Sequence, residues 1–209
     1  MLDIETLSTR PESVVLTLGA VKFSPWASDV NTDDGLYVRV NVDEQLESGR
    51  HVQQDTVDWW GKQAEDVREE ALGDHNRTDV EEFLNQLNKF VVGADNIWCQ
   101  GPAFDIVILE NLYRQVGRPT PWQFWQVRDS RTLFALAKVD PRKAMQSDLH
   151  NALADSYFQA KGVQPSSSNV FLELLGIVET LLGQPVEVLL TLTFGDGMCA
   201  LSISSLMKP

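Results

Sequence analysis

The chain changes its hydrophobic period near residue 55, which limits it to folds where strands come first and helices pack on them. Leu2 and Ile4 alternate with Asp3 and Glu5. A polar turn and the β-branched run VVLTLGAVKF at 14–23 follow, so the opening reads as a hairpin. A third strand is expected at 36–42, where Leu36, Val38, Val40 and Val42 share a face. From Asp55 the spacing becomes helical, and Thr56, Val57, Trp59 and Trp60 lead into a run through Ala71. Asp79 is placed to cap a second helix with an apolar stripe of Val80, Phe83, Leu84, Leu87 and Phe90 or Val91. A short strand at 96–100 ends at Gly101-Pro102, and helices are expected at 104–116, at 130–139 and from His150 to about Lys161. Strands followed by helices interleaved with a strand give an α/β fold, a mixed β-sheet flanked by helices.

The 209 residues suffice for a core without disulfides or a structural metal, and Cys99 and Cys199 are too few for a disulfide framework. A reducing, cytoplasmic setting is expected. The opening MLDIETLSTR carries two acids where a secretion signal needs a basic and then apolar run. Apolar runs fall short of the roughly 20 residues needed to span a bilayer. With 30 acidic against 17 basic side chains and a net charge of −13, a broad basic face for nucleic acid is disfavoured. An enzyme that holds phosphates through metal ions is not, because its site requires carboxylates.

Asp3 and Glu5, two apart on a strand, leave the same face and can share hard cations; alone, the pair also fits a solvated strand face. Asp105 follows the Gly-Pro break at the first turn of a helix, where an acid also suits the helix dipole. His150 and Asp155 in LHNALAD would lie about 140° apart on one helix, so His150 must sit at or before its start. A histidine on that lip can approach a water while the aspartate binds metal; by itself it also reads as an exposed residue near a cap.

Together, DIET at 3–6, GPAFD at 101–105 and HNALAD at 150–155 resemble, in order and spacing, the three motifs of the DnaQ-like (DEDDh) 3′-5′ exonucleases of the ribonuclease H-like superfamily. TVDWWGKQ at 56–63, PWQFW at 121–125 and RDSRTL at 128–133 are closer to the phage DexA-type and small bacterial exoribonuclease branch. The resemblance covers about residues 2–162. It implies a ribonuclease H-like sheet and hydrolysis of phosphodiesters at single-stranded DNA or RNA 3′ ends. It also implies Asp3, Glu5, Asp105 and Asp155 as ligands of two Mg²⁺ or Mn²⁺ ions, with His150 as general base. Crowded carboxylates repel, and divalent cations would neutralise them. Two such ions can hold a scissile phosphate, and histidine titrates in the range needed to accept a water's proton.

Gln100 and Ala103 stand where the related sequences more often have asparagine and serine, and only Met1 and Leu2 precede Asp3, so a short first strand is expected. A non-catalytic binding or assembly module with the same fold is the alternative; the complete set of five residues favours the enzyme. Trp59, Trp60, Trp122, Phe124 and Trp125 suit core or lid packing better than base stacking. Arg128, Arg131, Lys138, Arg142 and Lys143 form a basic stretch from which at least one contact to a substrate phosphate is expected. PSSSN at 165–169 reads as a linker dividing the exonuclease domain, 1–162, from an extension, 163–209. In the extension a helix at 170–182 and a hairpin of 186–194 with 198–206 are expected, and its low charge suggests a homodimer contact.

Overall fold

The computed structural model describes residues 1–27, 29–31, 33–138, 150–182, 188–195 and 198–205. Its main sheet has the order β1-β2-β3-β4, with β1 at Leu2–Thr6, β2 at Val15–Ala20, β3 at Leu36–Val40 and β4 at Arg77–Thr78. The first three strands run antiparallel, and β4 joins β3 in parallel. β5 (Ile97–Cys99) pairs in parallel with β6 (Val127–Asp129). This is the mixed, helix-flanked sheet of the expected α/β, ribonuclease H-like class.

β2 lies between two neighbours and all six of its residues are buried, so it reads as an apolar run rather than an alternation. β1 is buried at Leu2, Ile4 and Thr6 and half-buried at Asp3 and Glu5, and the same alternation places both carboxylates on one face. The register slips between Glu5 and Thr6. Beyond the slip, Gln45 from α1 (Val42–Glu47) accepts from the Val15 N–H and donates to the Val15 carbonyl, both at 2.8 Å. The backbone there stays satisfied although buried.

Helix α4 (Val80–Phe90) starts at Asp79, whose side chain accepts from the Glu82 N–H at 2.8 Å, and buries Val80, Phe83, Leu84 and Leu87. These join Ile106, Ile108, Leu109, Leu112 and Tyr113 of α5 (Asp105–Gln115) in one core with β1 to β3 and β5. Truncating one such leucine to alanine costs about 2–5 kcal/mol.

The expected helix from 55 to 71 is two helices, α2 (Gln54–Trp60) and α3 (Glu65–Leu72), interrupted at the Gly61 C-cap. Helix α6 spans Ser130–Ala137, while 139 and the stretch to 149 lie outside the described residues. Segment 165–169 is not a linker in the structure but part of one helix, α7 (Ala152–Leu182), with Pro165 inside it. Its short polar side chains tolerate the helix: buried Ser166 donates to the Gly162 carbonyl four residues back at 2.7 Å.

Contacts divide the chain into Met1–Ser167 and Ser168–Pro209. The second unit contains the antiparallel hairpin of β7 (Val188–Gly195) and β8 (Met198–Ser205). Among the described residues no helix is long and apolar enough to cross a membrane.

Candidate active site

The site forms where three separate pieces of chain meet on the Asp3–Glu5 face of β1. Gly101, at φ 128°, turns the chain out of β5 in a conformation that L side chains rarely adopt, and Asp105 then opens α5. Asp105 is 4% exposed, and its Oδ1 accepts from the Ile4 N–H at 3.3 Å. Ile4 lies between Asp3 and Glu5, so this bond sets the third carboxylate beside the first two.

The fourth arrives on α7. Asn151 precedes the helix, and its Oδ1 accepts from the N–H groups of Leu153 at 3.1 Å and Ala154 at 3.0 Å, an N-cap by a short polar side chain. Asp155 lies in the first turn, and its Oδ2 accepts from the His150 N–H at 3.1 Å. His150 therefore stands before the helix, as its spacing from Asp155 requires, in the left-handed region at φ 70°.

Helix α7 reaches the sheet because β2 has no side chain at Gly19. A Cβ there would fall 2.1 Å from the Ala152 carbonyl carbon and the Leu153 nitrogen. Gly19 pairs with Asp3 across the β1–β2 ladder. Ser156 donates to the Gly19 carbonyl at 2.8 Å, and Gln159 donates to Asp3 Oδ1 at 2.8 Å. The helix is thus fastened to the residue opposite one ligand candidate and to that candidate itself. The sequence analysis passed over Gly19, Ser156 and Gln159; a glycine in the interior of a buried strand was the signal for a close backbone approach.

Three of the five expected residues are brought close together, and Asp3 and Asp105 act on that group through their charges. Ligand atoms of Glu5, His150 and Asp155 all lie within 4.8 Å of one another. Asp3 is pushed well above the usual carboxylate range first by burial and then by the charges of Asp105 and Asp155, against the Gln159 bond. Glu5 is raised by burial and by Asp3, Asp155 and Asp105. Burial lifts Asp105 to about 7, opposed by backbone hydrogen bonds and by the charge of Arg131. Asp155 rises to about 6 through burial, opposed by the His150 N–H. Burial lowers His150, which keeps its imidazole neutral near pH 7.

Carboxylates raised by burial, and at Asp3 and Glu5 by neighbouring charge as well, are groups short of positive charge. The four carboxylates offer only oxygen donors, a set that suits Mg²⁺ or Mn²⁺ rather than zinc, so the residues present fit a divalent cation site.

The aromatic residues divide. Trp60 is 1% exposed, with its Nε1–H donating to the Thr6 carbonyl at 3.0 Å, and Trp122 is also buried. Trp59 is partly exposed beside His150, while Phe124 and Trp125 are exposed in a 3₁₀ turn. Arg128 turns back to the Trp125 and Val127 carbonyls, and Arg131 bonds to the Gln100 carbonyl. Arg142 and Lys143 lie outside the described residues.

Residues 1–166 match a family model described as the 3′-5′ exoribonuclease Rv2179c-like domain. An exodeoxyribonuclease of Enterobacteria phage T4 is 25% identical over 156 residues, covering 63% of this chain and 68% of that protein. No solved structure matches the chain.

Proposed function

The chain belongs to the Rv2179c-like 3′-5′ exoribonuclease domain family and is a nuclease hydrolase, and from that membership we propose that it removes nucleotides from the 3′ ends of single-stranded DNA or RNA by a two-metal mechanism with a histidine base. The observation that carries the reading is the gathering of Asp3, Glu5, Asp105 and Asp155 around one end of α7 with the imidazole of His150 beside them.

In this reading Asp3, Glu5, Asp105 and Asp155 would hold two Mg²⁺ or Mn²⁺ ions. When bound, these supply positive charge for the phosphodiester and its leaving oxygen. His150, neutral and held by its backbone bond to Asp155, takes a proton from the attacking water. The water oxygen bonds to phosphorus as the bond to the 3′ oxygen of the preceding nucleotide breaks, and that oxygen takes up a proton. The products are a nucleoside 5′-monophosphate and a strand one residue shorter. Gln159 and the Ile4 N–H orient Asp3 and Asp105.

The catalytic role falls to residues 1–162, in a cytoplasmic setting. The exposed Leu172, Leu174 and Ile177 on α7 support contact with a second copy. Matched 5′-labelled DNA and RNA single strands, digested with Mg²⁺, Mn²⁺ or EDTA, test polarity, metal dependence and sugar preference together. Metal-dependent shortening from the 3′ end is expected; no shortening of either strand would contradict the proposal.

A further inference from the structure

An acidic chain that binds a polyanion needs a cation outside its metal sphere, and among the described residues of the basic stretch ahead of His150, Arg131 lies against the turn that leads into Asp105. Arg131, exposed on the second residue of α6, lays its guanidinium over the Gly101 turn. Its Nη2 donates to the Gln100 carbonyl at 2.8 Å and sits 3.6 Å from where a side chain on Gly101 would begin. The glycine leaves that space open, and five N–H donors on a guanidinium leave several for a ligand. Arg128 turns its Nη1 back to the Trp125 and Val127 carbonyls of its own segment.

The scissile diester belongs among the carboxylates, and Arg131 stands against the Gly101 turn that leads into Asp105. We propose that Arg131 binds the substrate phosphate next to the scissile one on its 5′ side, a subsite for the continuing strand. This rests on the exonuclease reading above. Planar guanidinium donors match two phosphate oxygens at once, which a lysine does not reproduce. The subsite makes the enzyme prefer a strand of two or more phosphates over a single diester.

Arg131→Gln tests it, because glutamine retains a donor for the Gln100 carbonyl and removes only the charge. Kd for a fluorescent oligonucleotide, measured with Ca²⁺ in place of Mg²⁺, should rise roughly ten-fold, and the slope of log K against log salt should shrink by about 0.7. The ratio of kcat/KM on the oligonucleotide to that on the p-nitrophenyl ester of thymidine 5′-phosphate, which has one diester, should fall by a similar factor. Arg131→Lys should recover part of both. An unchanged salt slope, or an equal loss on the two substrates, would overturn the proposal. Failure of the wild-type protein to bind or shorten the strand would overturn the exonuclease reading and this subsite with it, so the two failures are distinguishable.

Discussion

The imidazole of His150 stands edge to face with the indole of Trp59, with ring centroids 4.7 Å apart and planes at 87°. Trp60 approaches the same imidazole at 6.3 Å and is itself anchored through its Nε1–H to the Thr6 carbonyl, just beyond Glu5. The proposed base is therefore held from two sides, by its backbone bond to Asp155 and by a ring resting on a buried neighbour.

Trp59→Ala removes that second support. A perpendicular aromatic pair contributes about 0.5–1.5 kcal/mol, so kcat should fall roughly two- to ten-fold with KM little changed. In a His150→Ala background the same substitution should have no further effect on kcat. Steady-state kinetics of the four proteins in this cycle measure it, and additive losses would mean Trp59 acts elsewhere.

Gly19→Ala should damage both fold and site, because the new Cβ meets main-chain atoms of Ala152 and Leu153 that cannot rotate away. Overpacking of this kind costs about 1–3 kcal/mol, a loss of about 3–10 °C in Tm for a chain of this size. Thermal melting and activity should decline together, since the displaced turn carries Asp155.

Without divalent cations, stability should fall as pH rises from about 5 to 8. A carboxyl whose pKa is raised on folding stabilises the fold below its unfolded value and loses that contribution as pH passes its folded value. Asp155 at about 6, Asp105 at about 7, and Asp3 and Glu5, also raised, act in this sense. The Met1 amino group, lowered to about 5 by burial, and the lowered His150 act oppositely, but they are two groups against four. Melting curves at pH 5.5 and 8 should show the lower Tm at pH 8. Millimolar Mg²⁺ should raise Tm more at pH 8 than at pH 5.5, where protons compete for the carboxylates.

Asp105→Asn keeps an oxygen for the Ile4 N–H and removes one of the repelling charges. Activity should be lost, while the metal-free Tm at pH 8 should stay level or rise. A large fall in Tm would assign Asp105 a structural role.

Much of this was legible in the sequence wherever one period dominated. The alternation at Leu2 to Thr6 and the stripe of α4 specify their elements because each buries one face. Short elements escaped: β6 has three residues, and α1 begins at Val42, which also continues the alternation of β3. Pro165 and its serines carry loop chemistry, yet they lie inside a helix. The motifs located the carboxylates, but their supports, Gly19, Ser156 and Gln159, form no motif. Their roles come from where α7 crosses the sheet, which is a tertiary property.

The most direct test is single-turnover cleavage of a 5′-labelled single strand by wild type, His150→Ala and Asp155→Asn at saturating Mg²⁺. The account predicts stepwise 3′ shortening by wild type, a loss of roughly 10²- to 10⁴-fold for His150→Ala with metal affinity nearly intact, and weakened metal binding for Asp155→Asn. Full activity of His150→Ala across pH 6 to 9 would contradict it.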